Sequence, residues 1–464
     1  MLYHDIRQSA SNGGTESFCL SRRDILRGTG AASLAALSAT ALPDRADAAT
    51  LWNPGPRSGL PYWLGGFAGI DALNALMQPR RSLDLVHIFE QGGDFRTTPV
   101  QMALAFDRIR EVELLQSGQA VGLQWTTSPF CYGTGFASPA AWPSGPDAIT
   151  PTSWLSASRP PTFTGSESQA ERTAKQRRLW QIAALGWLDP VWRTKLKAIK
   201  RHCFVRKNLR DIRIVLRVAH ELNLKNPPDN AGWGSFGMQR GHGIGQLDDP
   251  AQDPFIVREA LRRYIKKFLD VFSTVQPDIP GDFAYGWNQL WPYWCPIPEQ
   301  FHPFDVSLTC PPNARLVGPD VYDFWMPSFT QAQFAAKTAA TSKRGWPKGM
   351  GSWADWATAH GRLLAIGEFG LVTWRQNADG SRPNFEGWDN PAYLDFMLDF
   401  FQANADRLAF AAYFNRDYAP DPALPASLIA PWPEIDDPTV PCERLPVGDN
   451  NRCGAREWRR LLAQ

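Results

Sequence analysis

Short apolar runs alternate with helical patterns along most of this chain. The runs are rich in β-branched and aliphatic residues and are bounded by turn-forming residues, which is typical of buried strands. Between them, apolar residues recur every three or four positions, which is typical of amphipathic helices. We expect strands at 62–67, 83–89, 120–125, 212–220, 283–287, 315–322, 363–368 and 408–414. We expect helices at 99–117, 167–185, 190–203, 253–275, 353–361, 390–404 and 454–462.

The alternation of strands and helices predicts an α/β fold, a (β/α)₈ TIM barrel with long βα loops. The two longest loops of its second half are expected at 223–252 and 288–314, after the fourth and fifth strands. Such loops lie at the carboxyl ends of the strands, where barrels of this kind carry their functional residues.

The N-terminus has the features of an export signal. Residues 21–27 (SRRDILR) contain a twin-arginine pattern, residues 28–42 are mildly apolar, and residues 46–48 (ADA) form a small-x-small cleavage site. The sequence therefore predicts a twin-arginine signal at 1–48 and a single domain at 49–464, working in the periplasm or outside the cell. The alternative is an amphipathic helix that happens to carry two arginines.

Composition and charge argue against membrane insertion and nucleic-acid binding. The apolar stretch of the signal is too short to span a bilayer, so we expect no membrane insertion of the mature chain. The net charge of the chain is +2 and no basic stripe is present, which makes nucleic acid a poor partner. The 20 tryptophans are unusual; we expect some in the core and others as platforms for sugar rings.

Cysteine usage suggests disulfides in an oxidising compartment. Of the seven cysteines, Cys19 falls in the predicted signal and six remain. The candidate pairs are Cys295–Cys310 and Cys442–Cys453, which are close in sequence, and Cys131–Cys203, which is left over. The sequence does not fix the connectivity.

Two of the predicted strands have a glutamate at their carboxyl end: Glu368 is the last residue of one, and Glu221 directly follows the other. Two carboxylates at the carboxyl ends of different barrel strands suit glycoside hydrolysis, in which one protonates the leaving oxygen and the other acts at the sugar carbon. Arg217 and Tyr322 are candidate hydrogen-bond donors that would hold the ionised carboxylate. The structural alternatives are a helix-capping or lysine-paired role for Glu368 and a buried salt bridge between Glu221 and Arg217.

The sequence around these residues resembles glycoside hydrolase family 26 of clan A. The motifs that carry the resemblance are Arg217-x-x-His220-Glu221-x-Asn223, Asp320-Val321-Tyr322-Asp323 and Gly367-Glu368-Phe369-Gly370. The family consists mainly of β-mannanases, with some xylanases and mixed-linkage glucanases. The resemblance implies that Glu221 is the acid/base and Glu368 the nucleophile of a retaining mechanism. It also implies that Tyr322 steadies the nucleophile while Arg217 and His220 support the site; Asp320 and Asp323 are expected to be structural.

The sugar-binding residues depart from the family pattern. Family mannanases carry tryptophans within a few residues of the acid/base, whereas the first aromatic residue after Glu221 is Trp233. Candidate substrate-binding residues near strand ends are Trp233, Trp287, Asn288 and Trp374.

The leading hypothesis is a retaining, endo-acting β-glycoside hydrolase on a β-linked polysaccharide, either mannan-type or a bacterial exopolysaccharide. A non-catalytic glycan-binding barrel is the alternative, and a redox enzyme is a third class because many twin-arginine cargoes carry a cofactor. No cofactor motif supports the third class: residues 241–245 (GHGIG) do not follow a predicted strand. No metal site is expected, since His220-Glu221 lacks the second histidine of a zinc helix.

Overall fold

A computed structural model gives the fold of the predicted domain. It describes residues 57–67, 70–75, 77, 81–89, 109–127, 129, 168–209, 211–218, 254–282, 289–295, 306–323, 328, 330–371, 390–414, 458, 460 and 462. All of them belong to one compact unit, Asp47–Gln464. The predicted signal at 1–48 lies outside the described residues.

The strands form one closed ring. They are β1 Trp63–Phe67, β2 Leu85–Phe89, β3 Gly122–Thr127, β4 Arg213–Val218, β5 Leu290–Trp294, β6 Leu316–Val317, β7 Val321–Tyr322, β8 Leu363–Gly370 and β9 Leu408–Phe414. Each pairs in parallel with its neighbours, β6 pairs with β5 and β8, and β9 pairs with β1. Since β7 also pairs with β8, β6 and β7 are two parts of one barrel strand. The predicted (β/α)₈ barrel is confirmed.

Helices cover the outside of the ring. They are α1 Ile70–Ala75, α2 Ile109–Gln116, α3 Gln169–Ala184, α4 Asp189–Ile199, α5 Pro254–Phe272, α6 Gln331–Thr338, α7 Met350–Ala359 and α8 Pro391–Ala403. A π-helical turn, Lys200–Val205, follows α4, and a 3₁₀ turn, Val306–Thr309, precedes β6. Capping boxes fix the start of α3, at Ser168, and of α6, at Thr330. No helix among the described residues is both long enough and apolar enough to cross a membrane.

The predicted position of the fifth strand is wrong. The strand that pairs with β4 is β5, Leu290–Trp294, inside the segment 288–314 that was predicted to be a loop. The predicted strand at 283–287 lies outside the described residues. Pro292 explains the error, because a proline in a run of residues argues against a central strand. Here Pro292 keeps its carbonyl in the ladder, where it accepts a hydrogen bond from the Arg315 backbone N–H.

Two apolar cores lie on the two sides of the ring. The larger lies between the strands and the helices, and it includes Trp125, Trp192 and Trp353. The smaller fills the barrel interior, with Trp63 near its amino-terminal end. Gly122 makes room for this indole, since a Cβ there would lie 2.3 Å from the ring. These tryptophans are therefore core residues.

A buried aspartate holds the chain in place at the amino-terminal end of the barrel. Asp84, just before β2, accepts hydrogen bonds from the backbone N–H groups of Arg57, Ser58 and Leu64 and from the Ser58 hydroxyl. Desolvation by burial outweighs these donors and raises the pKa of Asp84 to about 6. The aspartate thus ties the chain preceding β1 to the bottom of the ring.

Several basic residues of α5 form ion pairs near the surface. Arg262 and Arg263 pair with Glu259, and Lys267 pairs with Asp189. Carboxylates therefore balance these positive charges on the outside of the barrel.

The predicted disulfides of the described cysteines are wrong. Cys203, Cys295 and Cys310 are buried and form no disulfide. Cys295 faces the barrel interior, whereas Cys310 belongs to the outer core, where Arg362 donates a hydrogen bond to its sulfur. Two thiols on opposite sides of a strand layer cannot meet. Cys131, Cys442 and Cys453 lie outside the described residues.

Candidate active site

A β-bulge brings Glu368 to the inside of the barrel. Along β8, Leu364 and Ile366 belong to the outer core and Ala365 to the inner one, as strand alternation requires. The register of β8 against β9 then shifts between Ile366 and Phe369, and Phe369 is again in the outer core. The extra residue of the bulge lets both Gly367 and Glu368 face inward. Without it, Glu368 would point toward the helices.

Both carboxylate oxygens of Glu368 accept hydrogen bonds. Arg217 Nη1, from β4, lies 2.5 Å from Oε1, and the Tyr322 hydroxyl, from β7, lies 2.5 Å from Oε2. Glu368 is 4% exposed, Arg217 is fully buried and Tyr322 is half-buried. The carboxylate is therefore held in one orientation at the carboxyl end of the barrel by two donors from other strands.

Arg217 bridges two carboxylates. Its Nη2 pairs with Asp320 while Nη1 pairs with Glu368. Burial alone would lower the pKa of Arg217, but the negative charges of Asp320 and Glu368 outweigh it, so the pKa lies well above its usual value. The guanidinium thus stays charged inside the barrel and orients Glu368 through a rigid fork.

A neutral thiol completes this cluster. Arg217 Nη2 lies 3.3 Å from Cys295 Sγ, which in turn donates to Asp320 Oδ1 at 3.2 Å. Desolvation raises the pKa of Cys295 well above its usual value, so the sulfur keeps its proton. Cys295 was not predicted as a site residue, and only its place at the end of an aromatic run hints at it.

A second polar group, on β2 and β3, lies beside this cluster. Gln124 Nε2, on β3, donates to the Gly367 carbonyl at 3.1 Å and lies 3.2 Å from His87 Nε2. His87 Nε2 in turn lies 2.7 Å from the Thr126 hydroxyl. Sequence reasoning missed these residues, although polar positions in the middle of apolar strands are the signal that finds them.

Aromatic rings continue from Tyr322 around the mouth of the barrel. Phe414 packs against Tyr322 with ring centroids 6.1 Å apart and stacks on Phe67 at 4.7 Å. Phe67 packs in turn against His87 and Phe89. These aromatic residues belong to β1, β2, β7 and β9, and most lie at the carboxyl ends of these strands, so an aromatic surface extends from Tyr322 along this part of the barrel mouth.

Asp323 holds the chain that follows Tyr322. It is fully buried and accepts hydrogen bonds from the Ser328 backbone N–H at 2.9 Å and from Asn390 Nδ2 at 2.7 Å. Lys337 adds a bond to the Tyr322 carbonyl at 3.2 Å. Asp323 is thus structural in its contacts, and so is Asp320, which anchors Arg217.

Three of the residues predicted for the site come together, namely Arg217, Tyr322 and Glu368. The others lie outside the described residues: Glu221, His220, Trp233, Trp287, Asn288 and Trp374. Their roles, like those of the three that meet, stay predictions. Within the described part of the chain, no group of three or more metal-ligating side chains could hold a metal ion.

The chemistry of the cluster is that of an oriented carboxylate. Glu368 sits at the end of a barrel strand where substrates enter such folds, with its two oxygens fixed by a cation and a phenol. A fixed carboxylate can attack an electrophilic carbon or stabilise positive charge that develops on it.

Comparisons with known proteins find solved structures alone. No profile of a known protein family matches the chain, and no curated protein does. The chain is similar to the catalytic domain of the GH26 endo-β-1,4-mannanase of Bacillus sp. JAMB-750, at 12% identity over 88% of each chain with a TM-score of 0.46. It is similar to Bacillus subtilis mannanase BCman at 11% identity, over 78% of this chain and 84% of that one, with a TM-score of 0.37. It is also similar to GH10 from Paenibacillus barcinonensis at 12% identity, over 84% of this chain and 98% of that one, with a TM-score of 0.36. The solved structures that are similar to this chain thus include members of glycoside hydrolase family 26, the family that its sequence motifs resemble.

Proposed function

We propose that this protein is a retaining β-glycoside hydrolase in which Glu368 is the nucleophile and Glu221 the acid/base. The observation that carries the proposal is the setting of Glu368: a bulge turns it into the barrel mouth, and Arg217 and Tyr322 fix both of its oxygens. A helix-capping or lysine-paired carboxylate, the structural alternative, would not need either feature.

Sequence alternation supports Glu221 as the partner. Arg217 faces the barrel interior from β4, and Glu221 comes four residues later, so a strand that continued would present both on the same face. The structural alternative for Glu221 is a buried salt bridge to Arg217. In the structure, Arg217 pairs with Glu368 and Asp320.

In the proposed first step, Glu368 attacks the anomeric carbon as Glu221 gives its proton to the bridging oxygen, and the bond to the leaving sugar breaks. Glu221, now a carboxylate, takes a proton from water, and the resulting oxygen nucleophile displaces Glu368 from the same carbon. Both glutamates return to their starting protonation states, and the product keeps the configuration of the substrate. Arg217 stabilises the carboxylate that leaves in the second step.

The proposed substrate is a β-linked polysaccharide cleaved within the chain, mannan-type or bacterial exopolysaccharide. A panel of β-mannan, xylan, mixed-linkage glucan and bacterial exopolysaccharides, with the first-formed anomer followed by NMR, selects among them. Retention of the β configuration supports the proposal, and an α product contradicts it.

Variants separate hydrolysis from simple glycan binding. Glu368→Ala and Glu221→Ala should both abolish hydrolysis, whereas the matched control Glu113→Gln, an exposed glutamate on α2 paired with Arg110, should not. When azide is added, Glu368→Ala should attach it to the anomeric carbon in the α configuration, and Glu221→Ala should attach it there in the β configuration. Binding of a glycan by wild type with no turnover on the whole panel would point to a non-catalytic barrel.

We also propose export by the twin-arginine pathway. Fractionation of cells should find the mature chain in the periplasm or medium, starting near residue 49. Replacing Arg22 and Arg23 by lysine should retain it in the cytoplasm. Export of this variant at the wild-type level would contradict the assignment.

A further inference from the structure

The β-bulge before Glu368 takes backbone groups out of the β8–β9 ladder. The register shift lies between Ile366 and Phe369, so the backbone N–H and carbonyl of Gly367 need partners from elsewhere. Both find a side chain inside the barrel. The Gly367 N–H donates to the Tyr293 hydroxyl at 2.9 Å, and Gln124 Nε2 donates to the Gly367 carbonyl at 3.1 Å.

The Tyr293 hydroxyl lies within hydrogen-bond distance of three backbone groups of the barrel. It is fully buried on β5, and its hydroxyl lies 2.9 Å from the Gly318 carbonyl and 3.1 Å from the Ala365 carbonyl. The hydroxyl proton goes to one of these two carbonyls while the oxygen accepts the Gly367 N–H. Burial raises the pKa of Tyr293 well above its usual value, so the proton is kept.

The packing around Gly367 leaves no room for a side chain. A Cβ at this position would lie 2.8 Å from Tyr293 Cε1 and 3.2 Å from Arg217 Nε. The backbone of the bulge therefore packs directly on the Tyr293 ring, and the guanidinium that holds Glu368 rests on the same glycine. A displacement of the bulge would move the carboxylate relative to Arg217.

We propose that Tyr293 and Gln124 are positioning residues that clamp the Gly367 backbone from both sides and thereby set the direction of the Glu368 carboxylate. The proposal rests on the proposed function, in which Glu368 is the nucleophile. Neither residue touches the reacting atoms. Each acts through a single backbone group of the residue that precedes the nucleophile.

The test compares Tyr293→Phe and Gln124→Met with a matched control, Tyr264→Phe. Tyr264 is also fully buried, but it belongs to the outer core, and its hydroxyl makes a hydrogen bond to the Thr127 hydroxyl at 2.8 Å. We expect Tyr293→Phe to lower kcat by about 10²-fold with KM unchanged, because a misplaced catalytic group costs roughly that much. Gln124→Met should lower kcat in the same way, and the double variant should lose less than the product of the two, since both act on one peptide.

The control removes stability as an explanation. If Tyr264→Phe lowers the melting temperature as much as Tyr293→Phe does but leaves kcat at the wild-type value, the loss belongs to positioning. Equal kcat in Tyr293→Phe and Tyr264→Phe would overturn the proposal.

A crystal structure of Tyr293→Phe distinguishes a failure of the clamp proposal from a failure of the proposed function. An inactive wild type would sink the hydrolase assignment, and the structure would still show whether the Glu368 carboxylate has left Arg217. An active wild type with an unmoved Glu368 in Tyr293→Phe would sink the clamp and leave the assignment standing.

Discussion

Arg217 and Glu368, 151 residues apart in the chain, form an ion pair inside the mouth of the barrel, with Nη1 and Oε1 2.5 Å apart. The pair is almost completely shielded from solvent, with side-chain exposures of 0% and 5%. Asp320 takes the other end of the same guanidinium. One buried cation therefore balances two carboxylates, and each of the three groups depends on the other two.

Replacing Arg217 should affect both stability and activity. Arg217→Met leaves two buried carboxylates without a cation, which should lower the free energy of unfolding by about 3–5 kcal/mol. Arg217→Lys keeps the charge, but a single ammonium cannot bridge both carboxylates in the same geometry, so activity should fall while less stability is lost. Chemical denaturation and kcat measure the two effects. Arg407→Lys, in an exposed pair with Asp355, is the control and should change neither.

Tyr322→Phe should lower kcat while the protein stays folded. The variant removes one hydrogen bond to Glu368, and a bond to a charged group contributes about 1.5–3 kcal/mol, which corresponds to a roughly 10- to 100-fold loss of rate. The tyrosine is half-buried, and phenylalanine keeps its contact with Phe414. A wild-type kcat in Tyr322→Phe would show that the hydroxyl does not serve the role proposed for Glu368.

Asp84 predicts a specific dependence of stability on pH. Its pKa rises from 3.8 in the unfolded chain to about 6 in the folded one, so the folded state binds the proton more tightly. The contribution of Asp84 to stability should therefore be full below pH 3.8 and should fall as the pH rises to about 6, by about 3 kcal/mol.

Urea unfolding of wild type and Asp84→Asn as a function of pH tests this dependence. The difference in unfolding free energy between the two proteins should change between pH 3.8 and about 6 and be flat above that range. A difference that stays constant across the range would mean that Asp84 titrates normally. Asp395→Asn, in an exposed ion pair with Arg460, is the matched control for the loss of a carboxylate.

The described cysteines should react as thiols. When the protein is unfolded without reductant in the presence of an alkylating reagent, the peptides with Cys203, Cys295 and Cys310 should carry the label. In the folded protein the same residues should be protected, because all three are buried. A disulfide-linked Cys295–Cys310 peptide would contradict the placement of these residues on opposite sides of the strands.

The barrel itself could be predicted from the sequence because its strands are nearly continuous apolar runs. The predicted strand at 408–414 coincides with β9, and that at 363–368 differs from β8 by two residues at one end. The fifth strand was misplaced because Pro292 interrupts the run Leu290–Trp294, and only pairing on both sides identifies this run as a strand. Such a tertiary effect overrides local preference.

Part of the cluster around Glu368 could be predicted, and for a reason other than periodicity. Strict alternation from Ala365 would send Glu368 outward with Leu364 and Ile366, and the bulge that corrects this direction leaves no sign in the sequence beyond Gly367. The contacts of Arg217 and Tyr322 with Glu368 could be anticipated from motif and residue type. The contributions of Tyr293 and Cys295 could not be predicted, because they lie in β5 and directly after it, and the sequence analysis placed the fifth strand at 283–287.

The most direct test of the account is to trap the sugar on the nucleophile. The probes are dinitrophenyl β-mannobioside and β-cellobioside fluorinated at the carbon beside the anomeric centre, which slows release of the glycosyl-enzyme more than its formation. Mass spectrometry should find one added disaccharide on the peptide that contains Glu368, and Glu368→Gln should stay unlabelled. Attachment to another residue, or hydrolysis by Glu368→Gln at the wild-type rate, would contradict the account.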